Sequence, residues 1–185
     1  MPEGLGVVPR ILLTTDGTLT HILEAYADEP VHLVKLAHDL VPGGSAREGL
    51  ELDDGERALR RIILLKGTVS GTTFVHAHSV VMLDRLPSAV GDGLLGTDLP
   101  IGKLLFSCRA ETLRQILAMG EERDADVAAH FGVPADEPLV ARTYQIVLDR
   151  RPVARITEKF PKAAFPDSEA FTAGPGSDAA LGRGL

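Results

Sequence analysis

Residues 139–160 read LVARTYQIVL (139–148), DRR (149–151) and PVARITEKF (152–160). Two β-rich runs joined by a short polar turn form an antiparallel hairpin, because side chains in a strand alternate between faces with a period of two. In the first run Val140, Arg142, Tyr144, Ile146 and Leu148 share a face; in the second, Ala154, Ile156, Glu158 and Phe160 do. Arg142 and Glu158 therefore stand on otherwise apolar faces. An unpaired charge buried there is costly, so each must pair, reach water or meet a ligand.

A second hairpin lies upstream. Arg57 to Gly67 and Thr72 to Leu83 are both β-rich, and Val69-Ser70-Gly71-Thr72 supplies a tight turn. Ala58, Arg60, Ile62 and Leu64 share one face of the first strand; Leu59, Arg61, Ile63 and Leu65 share the other. At least one of Arg60 and Arg61 thus joins the set of misplaced charges. Two readings fit this set. One is a buried Arg–Glu ion pair. The other is a pocket in which an arginine fork grips a carboxylate while a glutamate handles a hydroxyl or proton at the far end.

The rest of the chain frames these hairpins. Thr14-Thr15-Asp16-Gly17-Thr18 precedes Leu19, Ile22, Leu23 and Tyr26 at helical spacing, and Glu29-Pro30 closes that helix before a strand over 31–36. Residues 41–56 are a loop rich in glycine and acids. Between Pro87 and Phe131 the pattern predicts helices near 87–95, 99–107, 110–119 and 123–131, with Leu113, Ile116 and Leu117 as core. Strands at both ends with helices inserted between them give an α+β fold, an antiparallel sheet covered by helices. A single domain over 1–161 is expected, followed by a flexible tail over 162–185 rich in Ala, Gly and Pro.

Composition narrows the function. A formal net charge of -7 argues against a surface that tracks nucleic-acid phosphates. The N-terminus lacks a signal-peptide pattern and no long apolar run offers a membrane span, so a soluble cytoplasmic protein is expected. The lone Cys108 forms no internal disulfide and reads as an inert, semi-buried thiol. His76 and His78 share a strand face at a spacing able to chelate, but no third ligand follows in a recognisable motif, so no metal is expected. Of the two, His78 is the better pocket candidate.

The ordered segments LLTTDGTLT (12–20), LRRIIL (59–64), PIGKLLF (100–106), RTY (142–144) and TEKFP (157–161) resemble those of the chorismate pyruvate-lyase family, including uncharacterised bacterial and archaeal relatives. The resemblance runs from about residue 10 to residue 161. It implies an antiparallel sheet whose inserted helices form flaps over an internal pocket. It implies elimination of pyruvate from chorismate to leave 4-hydroxybenzoate, or a reaction on a similar ring acid, with no cofactor. Arg60 matches the arginine that holds the ring carboxylate, Glu158 the acid at the ring-hydroxyl end, and the backbones of Leu19 and Ile101 the flaps. Arg142, His78 and Lys103 join them as substrate-binding candidates. Lys103 replaces an arginine common after the flap glycine, and a point charge cannot imitate a planar fork. The expected partner is a small anionic ring compound, bound by a monomer or homodimer. Two alternatives share the fold: a biosynthetic cyclase or isomerase, and a non-catalytic small-molecule-binding module.

Overall fold

The computed structural model describes residues 1–42, 50 and 55–165. Along these run α1 (Val7–Thr14), α2 (Leu19–Ala27), β1 (Val31–Pro42), β2 (Arg57–Gly67), β3 (Thr73–Met82), α3 (Ser88–Gly96), α4 (Ile101–Ser107), β4 (Thr112–Glu122), α5 (Ala125–Phe131), β5 (Leu139–Leu148) and β6 (Arg151–Pro161). The six strands form one sheet in the order β1-β2-β3-β6-β5-β4, and every neighbouring pair is antiparallel. The α+β architecture expected from the two hairpins is the one observed. The β5–β6 turn places Asp149 and Arg150 at φ 49° and 63°, the left-handed pair whose twist suits a two-residue hairpin.

Several expectations change. The segment over 110–119 is strand β4 and not a helix. Leu113, Ile116 and Leu117 imitate helical spacing, and a register shift between Ile116 and Ala118 interrupts the alternation that would have marked a strand. As an edge strand β4 also exposes one face, so Leu113 and Leu117 are 63% and 41% exposed and belong to no core. Cys108 is exposed at the end of α4, not semi-buried. The folded region also continues beyond residue 161: Phe165 is buried against Tyr26, Phe74 and Phe160. The remainder of the expected tail, and most of the 41–56 loop, lie outside the described residues.

Buried side chains form two main clusters. One gathers Leu12, Leu13, Leu19 and Leu23 of the first helices onto Leu65, Phe74 and Phe160. The other gathers Leu94, Leu104 and Leu105 onto Tyr144, Ile146 and Ile156. No described helix is long and apolar enough to cross a membrane.

The residues of β3 that alternate with its cavity-lining Ala77 and Ser79 face α5, which packs on β3 and β6. There His76 is buried and stacks on His130 at 5.7 Å. Burial, then the charges of His130 and Lys159, push His76 down to about 4, against small opposition from Asp124; His78 acts in the same direction as the cations. Lys159 is itself tied to Glu122 and Asp124. A histidine whose folded pKa lies below its unfolded value of about 6.5 takes up protons more readily when unfolded. Stability should therefore fall as pH drops from about 6.5 towards 4, by on the order of 2–3 kcal/mol. Urea unfolding at pH 7 and pH 5 checks this, with His76→Gln expected to flatten the difference. An unchanged slope in that variant would remove His76 as its source.

Candidate active site

A cavity lies where the two core clusters meet, on the sheet face turned towards α2 and α4. It encloses about 600 Å³ of space between atoms, its mouth included. Its floor is the sheet: Arg61, Ile63 and Leu65 from β2, Ala77 and Ser79 from β3, Ile156 and Glu158 from β6, Tyr144 and Ile146 from β5. Arg114 of β4 closes one side. Gly17 to Thr20 and Pro100 to Gly102 form the roof, so the starts of α2 and α4 lie over the opening.

Strand register sets the spacing of the polar groups. Arg61 lies opposite Ser79, which lies opposite Ile156, which lies opposite Tyr144, one row across four strands. The next row carries Ile63, Ala77, Glu158 and Arg142. Arg61 and Glu158 are thus two strands apart, roughly 10 Å across the sheet, with small Ser79 and Ala77 leaving room between them.

Their surroundings differ. Arg61 is 2% exposed, and its Nε and Nη2 find no hydrogen-bond partner among the described residues. Burial lowers its pKa, opposed by the charge of Asp98. His38 stands directly across from it on β1, with both ring nitrogens likewise buried and without a partner among those residues. Glu158, 6% exposed, is fully engaged. Its Oε2 accepts from Arg142 Nε at 2.7 Å and its Oε1 from the Tyr144 hydroxyl at 3.0 Å. Burial, and the carboxylate beside it, push the Tyr144 phenol far above its ordinary value, so it stays a donor. Arg142 is also buried, lies over the Tyr144 ring at 4.9 Å, and donates from Nη1 to the Thr15 carbonyl at 2.8 Å. One end of the cavity is therefore a finished network. The other holds a buried cation with donors to spare.

The model for the family described as chorismate pyruvate-lyase Rv2949c-like matches residues 13–165. The chain belongs to this family. A chorismate pyruvate-lyase of Mycobacterium tuberculosis (strain H37Rv) is 33% identical over 163 residues, covering 86% of this chain and 82% of the relative. A chorismate pyruvate-lyase of Mycobacterium leprae is 34% identical over 172 residues, covering 86% and 76%. Among solved structures, the effector domain of PhnF from Mycobacterium smegmatis aligns with a TM-score of 0.61 at 17% identity, covering 78% of this chain and 88% of that one. The C-terminal domain of a histidine utilization repressor from Pseudomonas syringae aligns at 0.55 and 16%, covering 75% and 96%. At such identities these two share the fold alone.

Within this member of the family the expected site residues separate. Leu19, Ile101 and Glu158 line the cavity, and Arg142 stands behind Glu158 as its ion-pair partner. Arg60 does not reach the cavity. Its side chain is 51% exposed and paired with Asp39 at 3.0 Å, and the arginine in the cavity is its neighbour Arg61. A shift of one residue along a strand exchanges its faces, and the doubled arginine hides which position carries the inward side chain. His78 alternates with the cavity-lining Ala77 and Ser79 and falls on the other face. Lys103 is spent on Glu24 at 2.9 Å, tying α4 to α2 outside the cavity. Among the described residues no group of three metal-ligating side chains occurs. Sequence reading overlooked Arg114 and Tyr144. Tyr144 shares the face of Arg142 and could have been found there; Arg114 was hidden by the helical reading of β4.

Proposed function

We propose that this protein eliminates pyruvate from chorismate and leaves 4-hydroxybenzoate, using no metal or organic cofactor. The observation that carries the reading is Arg61, a buried guanidinium with unused donors facing a carboxylate two strands away. A para-hydroxy ring acid fits between them with its carboxylate on Arg61 and its hydroxyl towards Glu158. Arg61 offers parallel donors to the ring carboxylate. In the reaction the ether C–O bond breaks and the ring carbon bearing the hydroxyl loses its proton. The electron pair completes the aromatic ring, and the released enolpyruvate takes up a proton to become pyruvate. Aromatisation drives the step, so the protein mainly holds the substrate in line and balances developing charge. Arg142 and Tyr144 keep the Glu158 carboxylate aimed.

Purified protein incubated with chorismate should release pyruvate and 4-hydroxybenzoate in equal amounts. Glu158→Gln should lower the rate by roughly 10²-fold or more, the scale of losing a positioned proton-handling group. Arg60→Ala should stay within about twofold of the parent, because an exposed ion pair contributes little. A folded protein that binds chorismate without releasing either product would replace this reading with a binding module.

A further inference from the structure

Two arginines enter the cavity, and neither has a carboxylate of its own among the described residues. Arg142 offsets Glu158 in a direct ion pair. That leaves Arg61 and Arg114 as the uncompensated charge of the lining. Arg114 comes from β4, at the opposite end of the strand order from Arg61 on β2 with three strands between them. Its Nη1 donates to the backbone carbonyl of Asp16. Its Nη2 lies 3.5 Å from the point a Cβ on Gly102 would occupy, close to the Thr18 side chain. The guanidinium therefore sits at the seam of the roof, between the loop before α2 and the start of α4. The structure records no other hydrogen bond from it among the described residues.

A cavity with two excess cations at separated places suits a ligand with two separated anionic groups. We infer that the cavity selects ring compounds carrying two carboxylates, Arg61 holding the one on the ring and Arg114 the one on the side chain. This rests on the elimination proposed above, and it makes the product more weakly held than the substrate. Once the side chain leaves as pyruvate, the ring product keeps only its contact with Arg61. Arg114 is then a specificity-determining residue that distinguishes substrate from product.

The test compares the full chain with Arg114→Gln and Arg114→Lys, each checked for an unchanged circular dichroism spectrum. Titration calorimetry reads affinity for 4-hydroxybenzoate, and initial rates of pyruvate release give KM for chorismate. Arg114→Gln is expected to raise KM roughly 10- to 100-fold, the scale of one charged hydrogen bond, while 4-hydroxybenzoate binding stays within about threefold. Arg114→Lys keeps the charge without the fork and should fall between. Equal losses for both ligands would make Arg114 a latch on the Asp16 backbone and overturn the inference; so would an unchanged KM. Isophthalate and benzoate decide the case in which chorismate is not turned over. The parent must prefer the dicarboxylate and Arg114→Gln must lose that preference, so the inference can stand or fall apart from the reaction.

Discussion

Replacing Arg61 by Met should reduce kcat/KM for chorismate by about 10³-fold and at the same time raise the melting temperature of the ligand-free protein. The two effects share one cause. Arg61 is buried with two nitrogens that find no partner among the described residues, so the empty protein bears the desolvation of a cation whose donors are unused. Methionine fills similar volume without charge, and relief of that cost should stabilise the fold by about 2 kcal/mol, or roughly 5 °C in a domain of this size. The loss in kcat/KM corresponds to about 4 kcal/mol, within the range for removing one partner of a buried charged contact. Thermal unfolding without ligand and steady-state pyruvate release measure the two sides. A Met variant that is both less stable and less active would make Arg61 a structural residue. One that keeps full activity would place the carboxylate elsewhere.

Arg142→Met should be the most destabilising single change in the site. It leaves Glu158 buried without its cation, with only Tyr144 still donating to it, and frees the Thr15 carbonyl that Arg142 now holds. Breaking a buried ion pair from one side costs about 3–5 kcal/mol, because the remaining charge is stranded. Removing the second charge should recover part of that loss, so Arg142→Met combined with Glu158→Gln is expected to be more stable than Arg142→Met alone. Urea unfolding of the three variants supplies the cycle. Simple additivity would mean that the pair does not interact as the 2.7 Å contact indicates. The double variant should still lack activity, since Glu158 faces the cavity.

Much of this was legible in the chain, for reasons that can be traced. The hairpins over 57–82 and 139–160 alternate strongly and are closed by polar turns, so their pairing and their misplaced charges follow from period alone. The buried-pair reading of those charges describes Arg142 and Glu158, while Arg61 faces the cavity with two nitrogens that find no partner among the described residues. The resemblance pointed to Arg60, and the strand pattern left Arg60 and Arg61 equally open, because both faces of β2 carry aliphatic residues and no polarity difference fixes the phase. The helix assigned over 110–119 failed because a bulge in an edge strand erases the period that identifies strands, and Arg114 was lost with it. Lys103 and His78 could be placed only by three-dimensional packing. Each carries a plausible charge or ring, and only the fold shows that one answers Glu24 and the other lies on the far face of β3.

The strand order has a mechanical consequence. β2 is hydrogen-bonded on both sides, to β1 and β3, whereas β4 is held only by β5. Displacing β2 means breaking two ladders, but β4 can peel back by opening one, and local opening free energies in proteins follow such differences. The cavity thus has a stiff wall bearing Arg61 and a compliant wall bearing Arg114. Backbone amides of β4 are therefore expected to exchange with solvent faster than those of β2, which hydrogen exchange would read directly.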